Sequence, residues 1–374
     1  MKKESQRWWL LLIVMMVSGV VLMVIFSHNQ TLYRRPIGQV LATKQLSRQK
    51  TSDEFHNEDR LTSQSLKVRL MNGRYRGRQL TIANHYTDSG AMDQHYKVGD
   101  QLFLSQLHRN RHGRLSANIS DLKRDEVLAF LVWLTIALLL LMMRWTGLRV
   151  LLSLIANAIL FIIAIELDQA WQGGHVLAIF SGLAILFTII SLLLILGPTK
   201  RMLATSIATL AGTFLALGIS WLVFSWTHER GIHYESMLYV TQVQRPLFLA
   251  ETLLGSLGAV MDVSSDIVAT LFQFSQVNPQ ADFKKLFLAG REVGKSVMGP
   301  LVNVLFMIFM AVTYTSALLL LRNGNSWGYT FSMSMSLGTA QSLISGIGIV
   351  LAIPVASAMM ALLLTRGDAG HVND

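Results

Sequence analysis

Seven apolar stretches follow one another between Val127 and Leu364, and a lipid bilayer is the solvent that such a pattern suits. They are Val127–Met143, Leu148–Leu167, His175–Leu196, Met202–Trp226, Pro246–Phe274, Ser296–Leu321 and Leu337–Leu364. The shortest has 17 residues, at the lower limit for crossing a hydrocarbon core of about 30 Å. In hydrocarbon every backbone N–H and C=O must be satisfied within the segment, so each stretch is expected to be a helix. Trp8–Phe26 adds an apolar run 19 residues long. That is longer than the apolar part of a cleaved leader, and Ser27-His28-Asn29-Gln30 behind it offers no small-residue cleavage site. The chain is therefore expected to be an α-helical polytopic membrane protein with about eight transmembrane helices, the first an uncleaved anchor. Composition agrees: only 14% of the 374 residues are charged, against about 25% in soluble domains.

Residues 27–126 read differently. Ser65–Gly73, Gly77–His85 and Tyr96–Leu107 alternate apolar and polar residues as half-buried strands do, with Asn72-Gly73 and Gly99-Asp100 as turn signals. A small β-rich, OB-like extracytoplasmic domain between helices 1 and 2 is expected. Such barrels commonly take oligonucleotides or sugars. Here Arg74, Arg76, Arg78, Arg109, Arg111 and Arg114, with His108 and His112, are read as solvated surface, an anion site being the lesser reading.

The net charge of +10 invites a nucleic-acid partner, but its placement speaks for topology. With both termini on one side, the short segments of that side hold 12 Lys and Arg and those of the other side hold 3. Basic short loops face the cytoplasm, while a domain as long as 27–126 crosses largely regardless of charge. Both termini are expected in the cytoplasm, the protein in the cell membrane, and no nucleic acid as partner. The expected segments are the N-terminus and anchor (1–26), the β domain (27–126), helices 2–5 (127–226), an outer loop (227–245) and helix 6 (246–274). A cytoplasmic or interfacial amphipathic segment (275–295), helices 7 and 8 (296–366) and a cytoplasmic tail (367–374) complete the chain.

Helix 6 carries the candidate chemistry. Positions 251, 255, 258, 262 and 266 fall on one helical stripe that reads Glu251, Gly255, Gly258, Asp262, Asp266. A charge at the bilayer centre costs at least about 2.5–3.5 kcal/mol, so such residues usually face a protein interior or a wet cavity. The glycines and the Asp262-Val263-Ser264-Ser265-Asp266 run are expected to break the helix centrally. Asp262 would then cap its second half, as in transporters whose interrupted helices hold ions.

Gly258 to Asp262 (Gly-Ala-Val-Met-Asp), Gly290 to Asn303 and Gly346 to Pro354 together resemble the YibE/F family of bacterial multi-pass membrane proteins. The resemblance runs from about Arg34 onward, and departs from the family pattern at Lys295-Ser296, where members often carry Arg-Asp. It implies the architecture above and a hetero-oligomer with a related subunit lacking the outer β domain. The family has no agreed activity, so no enzyme chemistry is implied.

Asp262, Asp266 and Glu251 are the expected cation, proton or solute ligands, with the Asn303 amide in support. The competing reading makes Asp262 a helix cap and pairs Glu251 with Arg245. Oxygen ligands would suit magnesium or manganese, but these residues name no metal. Gly255, Gly258, Gly290, Gly294, Gly299, Gly346 and Gly348 are read as helix-packing positions, with Pro300 as a bend. His228, Glu229, His233 and Glu235 form only a weak metal candidate. With zero cysteines and no phosphate loop, dinucleotide fingerprint, nucleophile elbow or HExxH, the chain is expected to be no enzyme and to use no cofactor. A permease- or channel-like protein moving a small solute or ion between helices 6 and 7 is the leading expectation. A non-transporting assembly or sensory module, whose β domain binds an envelope ligand, is the alternative.

Overall fold

The computed structural model describes residues 2–54, 56–90, 93–109, 115–237 and 243–365, with side chains from residue 13 onward. Arg111, His112, Arg114, Arg366 and the 367–374 tail lie outside the described residues. The chain divides into two compact units, Met1–Arg144 and Trp145–Asp374.

The first unit contains α1 (Lys2–Ser27), a 3-10 turn (Asn29–Leu32), five strands and α2 (Asp125–Met143). The strands are β1 (Ile37–Ser52), β2 (Glu58–Leu70), β3 (Gln79–Thr87), β4 (Gln101–Arg109) and β5 (Leu115–Leu122), in the order β3-β2-β1-β4-β5. Every pairing is antiparallel, and the outer strands β3 and β5 approach one another, giving the partly open five-stranded form expected of an OB-like barrel. Its core is Val40, Leu66, Val68, Leu80, Leu102 and Leu104 with neighbours. Two strands had no readable signal. Residues Lys44–Ser52 of β1 are exposed on both faces, so no period of two marks them, and only pairing with β2 holds them extended. Asn72 is more than a turn residue: its Oδ1 accepts from the Ile37 amide at 2.7 Å, and its Nδ2 lies 2.9–3.0 Å from the carbonyls of Gln30, Tyr33 and Arg35.

A charged cluster sits where α1, the sheet and α2 meet. Lys123, with its side chain 2% exposed, pairs with Asp125 at 2.8 Å and donates to the Phe26 carbonyl at 2.9 Å. Asp125 also accepts from Asn29 Nδ2 at 2.9 Å and from the Tyr33 hydroxyl at 2.7 Å. On the far rim, Asp59 accepts from the Ser89 hydroxyl at 2.6 Å and from the Asp88 amide at 3.1 Å. The Ser89 side-chain bond, with backbone bonds from Arg60, Ser89 and Asp88, holds its carboxyl below the ordinary carboxylate range. A depressed carboxyl stabilises the fold above its unfolded pKa and ceases to do so as pH falls through the folded one. Amide exchange at Ser89 should thus be flat from neutral pH to about 5 once corrected for intrinsic rates, and accelerate below about pH 4. Exchange without that rise would remove Asp59 as the holder of this turn.

The second unit is helical: α3 (Trp145–Ala170), α4 (Val176–Leu196), α5 (Lys200–Trp226), α6 (Gln244–Val277), α7 (Phe283–Arg322), α8 (Trp327–Thr330) and α9 (Ser336–Thr365). A π-helical turn, Phe331–Met335, joins α8 to α9 so that Trp327–Thr365 runs on as one apolar element. Among the described residues seven helices are long and apolar enough to cross a membrane, and α1, with its apolar part Ile13–Ser27, completes the expected set of about eight. α9 is the centre: it packs along α5, α6 and α7. Its seam with α5 is built from small residues, Ala208, Gly212 and Ala216 facing Gly348, Ala352 and Ala356, which lets the backbones approach closely. A Cβ on Gly212 would lie 2.8 Å from Ala352 Cβ and 2.9 Å from the Gly348 carbonyl oxygen.

Two expectations are corrected here. α6 is unbroken from Gln244 to Val277, so Asp262 is mid-helix and caps nothing. Gly255 and Gly258 each cost a helix roughly 1 kcal/mol, and buried Leu253, Leu257, Val260, Ile267 and Leu271 on the opposite face outweigh that. Residues 283–295 are not a separate interfacial helix but the first turns of the 40-residue α7. Asp282 caps it, accepting from the Lys285 amide at 3.0 Å, and buried Leu286, Gly290 and Gly294 at four-residue spacing hold it to the bundle. Pro300 lies inside this helix, as Pro354 lies inside α9.

Candidate functional site

α6 has two unlike faces. One carries Leu253, Leu257, Val260, Ser264, Ile267 and Leu271, all buried against the bundle. The other carries Glu251, Gly255, Gly258, Asp262 and Asp266, all exposed. The stripe legible in the sequence is therefore one continuous face, turned away from the helix core. None of its three carboxylates has a hydrogen-bond or ion-pair partner among the described residues.

The N-terminal half of that face opens on a crevice of about 740 Å³ between α6, α7 and α9. Glu251, Gly255 and Phe248 form its α6 wall, Leu305, Phe309 and Thr313 belong to α7, and Gln341, Ser342 and Ser345 to α9. A Cβ on Gly255 would lie 2.7 Å from Gln341 Nε2, so a larger residue there would push the end of the Gln341 side chain aside. Asp262 and Asp266, farther along α6, are not among the lining residues of this crevice. Asn303 is exposed on α7, with its Nδ2 4.0 Å from Met307 Sδ, and is not in the lining either. The structure thus brings Glu251 into a crevice and leaves Asp262, Asp266 and Asn303 on open faces.

The glycines divide similarly. Gly290 is packed against Ser357 and Leu271, Gly294 against Ile353, and Gly348 against Val260 and Ala216. Gly346 makes ordinary contact with Val302, 3.9 Å from where its Cβ would be. Gly258 and Gly299 have nothing within 4 Å of that position.

Arg245 pairs with Glu229 at 2.8 Å, not with Glu251, which corrects the alternative pairing. His233 Nδ1 lies 2.9 Å from Glu235 Oε1, and among the described residues no group of three His, Cys, Asp or Glu could hold a metal ion. Burial, with the Glu229 charge beside it, pushes the Tyr234 phenol up to about 12. Sequence reasoning missed the α9 wall altogether. The available signal was the polar run Thr339, Gln341, Ser342 and Ser345 at the start of the final span.

Long apolar helices that close their own backbone hydrogen bonds, with a five-stranded sheet between the first and second, define an integral membrane protein. The chain belongs to the YibE/F family: the family description "YibE/F-like protein" matches residues 131–366, and "YibE/F family N-terminal domain" matches residues 31–122. No curated protein and no solved structure matches it.

Proposed function

We propose that this protein is permease- or channel-like and moves a small solute or ion along the α6–α7 side of its helical unit. The observation that carries the reading is the acidic face of α6: three carboxylates on a membrane helix, unpaired among the described residues, one of them in a crevice of about 740 Å³. Charges are costly at membrane depth, and retaining three on one face suits a hydrated path better than lipid. In this reading Asp262 and Asp266 bind or relay the cation, Asn303 supports them, and Glu251 receives the solute. No catalytic step belongs to it. In this reading both termini lie in the cytoplasm and the sheet outside the cell membrane, which the excess of Lys and Arg in the short loops of one side supports. In reconstituted vesicles Asp262→Asn should bring ion-dependent uptake to background while the folded protein stays abundant. Unchanged flux would remove Asp262 from the path.

A second reading is favoured by the same open face. Asp262 and Asp266 would be covered by a helix of a related subunit without the β domain, and the protein would be an assembly or sensory module. Deleting residues 31–125 separates the two: a permease core keeps its flux, whereas a module that binds through the sheet loses all function.

A further inference from the structure

The crevice at the N-terminal half of α6 has a chemistry narrow enough to name its occupant. We infer that it binds an organic monocation, a primary ammonium group carried on an apolar body. The inference rests on the reading that this crevice takes a solute, and it adds what that solute is.

Four observations bear on it. The volume of about 740 Å³ falls within the roughly 300–1,000 Å³ of small-molecule sites and far exceeds a bare ion. Among the described residues Glu251 is the one ionisable side chain in the lining, so a single positive charge neutralises the site. A divalent metal would want six or more oxygen ligands, several of them charged. The hydroxyls present themselves as acceptors. Thr313 Oγ1 gives its proton to the Phe309 carbonyl at 3.0 Å and Ser345 Oγ gives its proton to the Gln341 carbonyl at 2.9 Å, leaving lone pairs free. An ammonium group, with three donors and no acceptor, matches acceptors of that kind. Beside the polar Gln341 and Ser342, the rest of the wall is largely apolar, with Phe248, Leu305, Ile308, Phe309, Val312 and Leu337 available to an alkyl or aryl body.

An amine could reach the crevice as a free solute or as a lipid headgroup. Aminophospholipids carry a phosphate beside the ammonium, and among the described residues no Lys, Arg or His lines the crevice to meet it. The free amine is therefore the fit.

The test uses the full chain in phosphatidylcholine nanodiscs and a decylamine bearing a photoreactive diazirine, beside the alcohol of the same length. A charge-assisted hydrogen bond should make the amine label the Leu305–Thr313 and Leu337–Ser345 segments about tenfold more than the alcohol does. Glu251→Gln should bring that ratio to about one. Ser342→Trp, which fills the crevice and keeps the carboxylate, should abolish labelling by both, and serves if Glu251→Gln fails to fold. Equal labelling by amine and alcohol in the unaltered protein overturns the inference. So does an amine preference that survives Glu251→Gln, or a diazirine-bearing phosphatidylethanolamine that labels the crevice better than the amine. Amine capture without flux in vesicles would sink the permease reading and leave this site standing. Flux without amine capture would do the reverse.

Discussion

Lys123→Met is expected to destabilise the N-terminal unit by about 3–5 kcal/mol, because it strands a carboxylate that was paired away from water. The Lys123 side chain is 2% exposed and that of Asp125 is 19% exposed. The lysine meets one full charge and the Phe26 carbonyl, while the aspartate keeps only neutral donors, Asn29, Tyr33 and the Glu126 amide, once the lysine is gone. Met has similar reach, so lost packing is small and the effect reads the charge. Chemical unfolding of the full chain in detergent, followed by exchange of β4 and β5 amides, measures it. The double variant Lys123→Met with Asp125→Asn should lose less than the two single losses combined, since each then lacks an unpaired partner. A loss under about 1 kcal/mol for Lys123→Met would mean the pair behaves as a surface ion pair.

Gly212→Leu should cost the helical unit about 3 kcal/mol or more, and Gly212→Ala about 1 kcal/mol. The contact that decides this is with backbone, not with a movable side chain. A Cβ would lie 2.9 Å from the Gly348 carbonyl oxygen, 2.8 Å from Ala352 Cβ and 3.1 Å from Val260 Cγ1. Relief requires moving α9, around which α5, α6 and α7 are packed. Gly258→Ala supplies the contrast, because nothing lies within 4 Å of its Cβ position. It should be neutral or stabilising by up to about 1 kcal/mol through helix propensity. Unfolding in mixed detergent micelles would compare the three. A Gly212→Leu protein as stable as the parent would show that α5 and α9 do not need their close seam.

Much of this architecture is legible in the sequence. Hydropathy marked the membrane helices because bilayer solvation depends on local composition alone. Alternation marked β2, β3 and β4, whose side chains divide between core and solvent. It missed Lys44–Ser52 of β1, where both faces are wet and no alternation exists to be read. Helical periodicity placed Glu251, Gly255, Gly258, Asp262 and Asp266 on one face, and they occupy one face. The same residues misled on continuity. Gly and Asp weaken an isolated helix, yet α6 stays whole because its opposite face is buried against α4, α5 and α9.

Residue order alone thus marked the class of the protein, the membrane helices, three of the five strands and the acidic face, since each follows from spacing and solvent preference along a short window. Folding in three dimensions decided what that face looks onto. Gln341, Ser345 and Phe309 stand far from Glu251 along the chain, and only the packing of α9 between α5, α6 and α7 makes one crevice of them. The same is true of Lys123 and Asp125: a basic and an acidic residue at a domain edge look solvated in a sequence, and only the convergence of α1, the sheet and α2 takes them out of water.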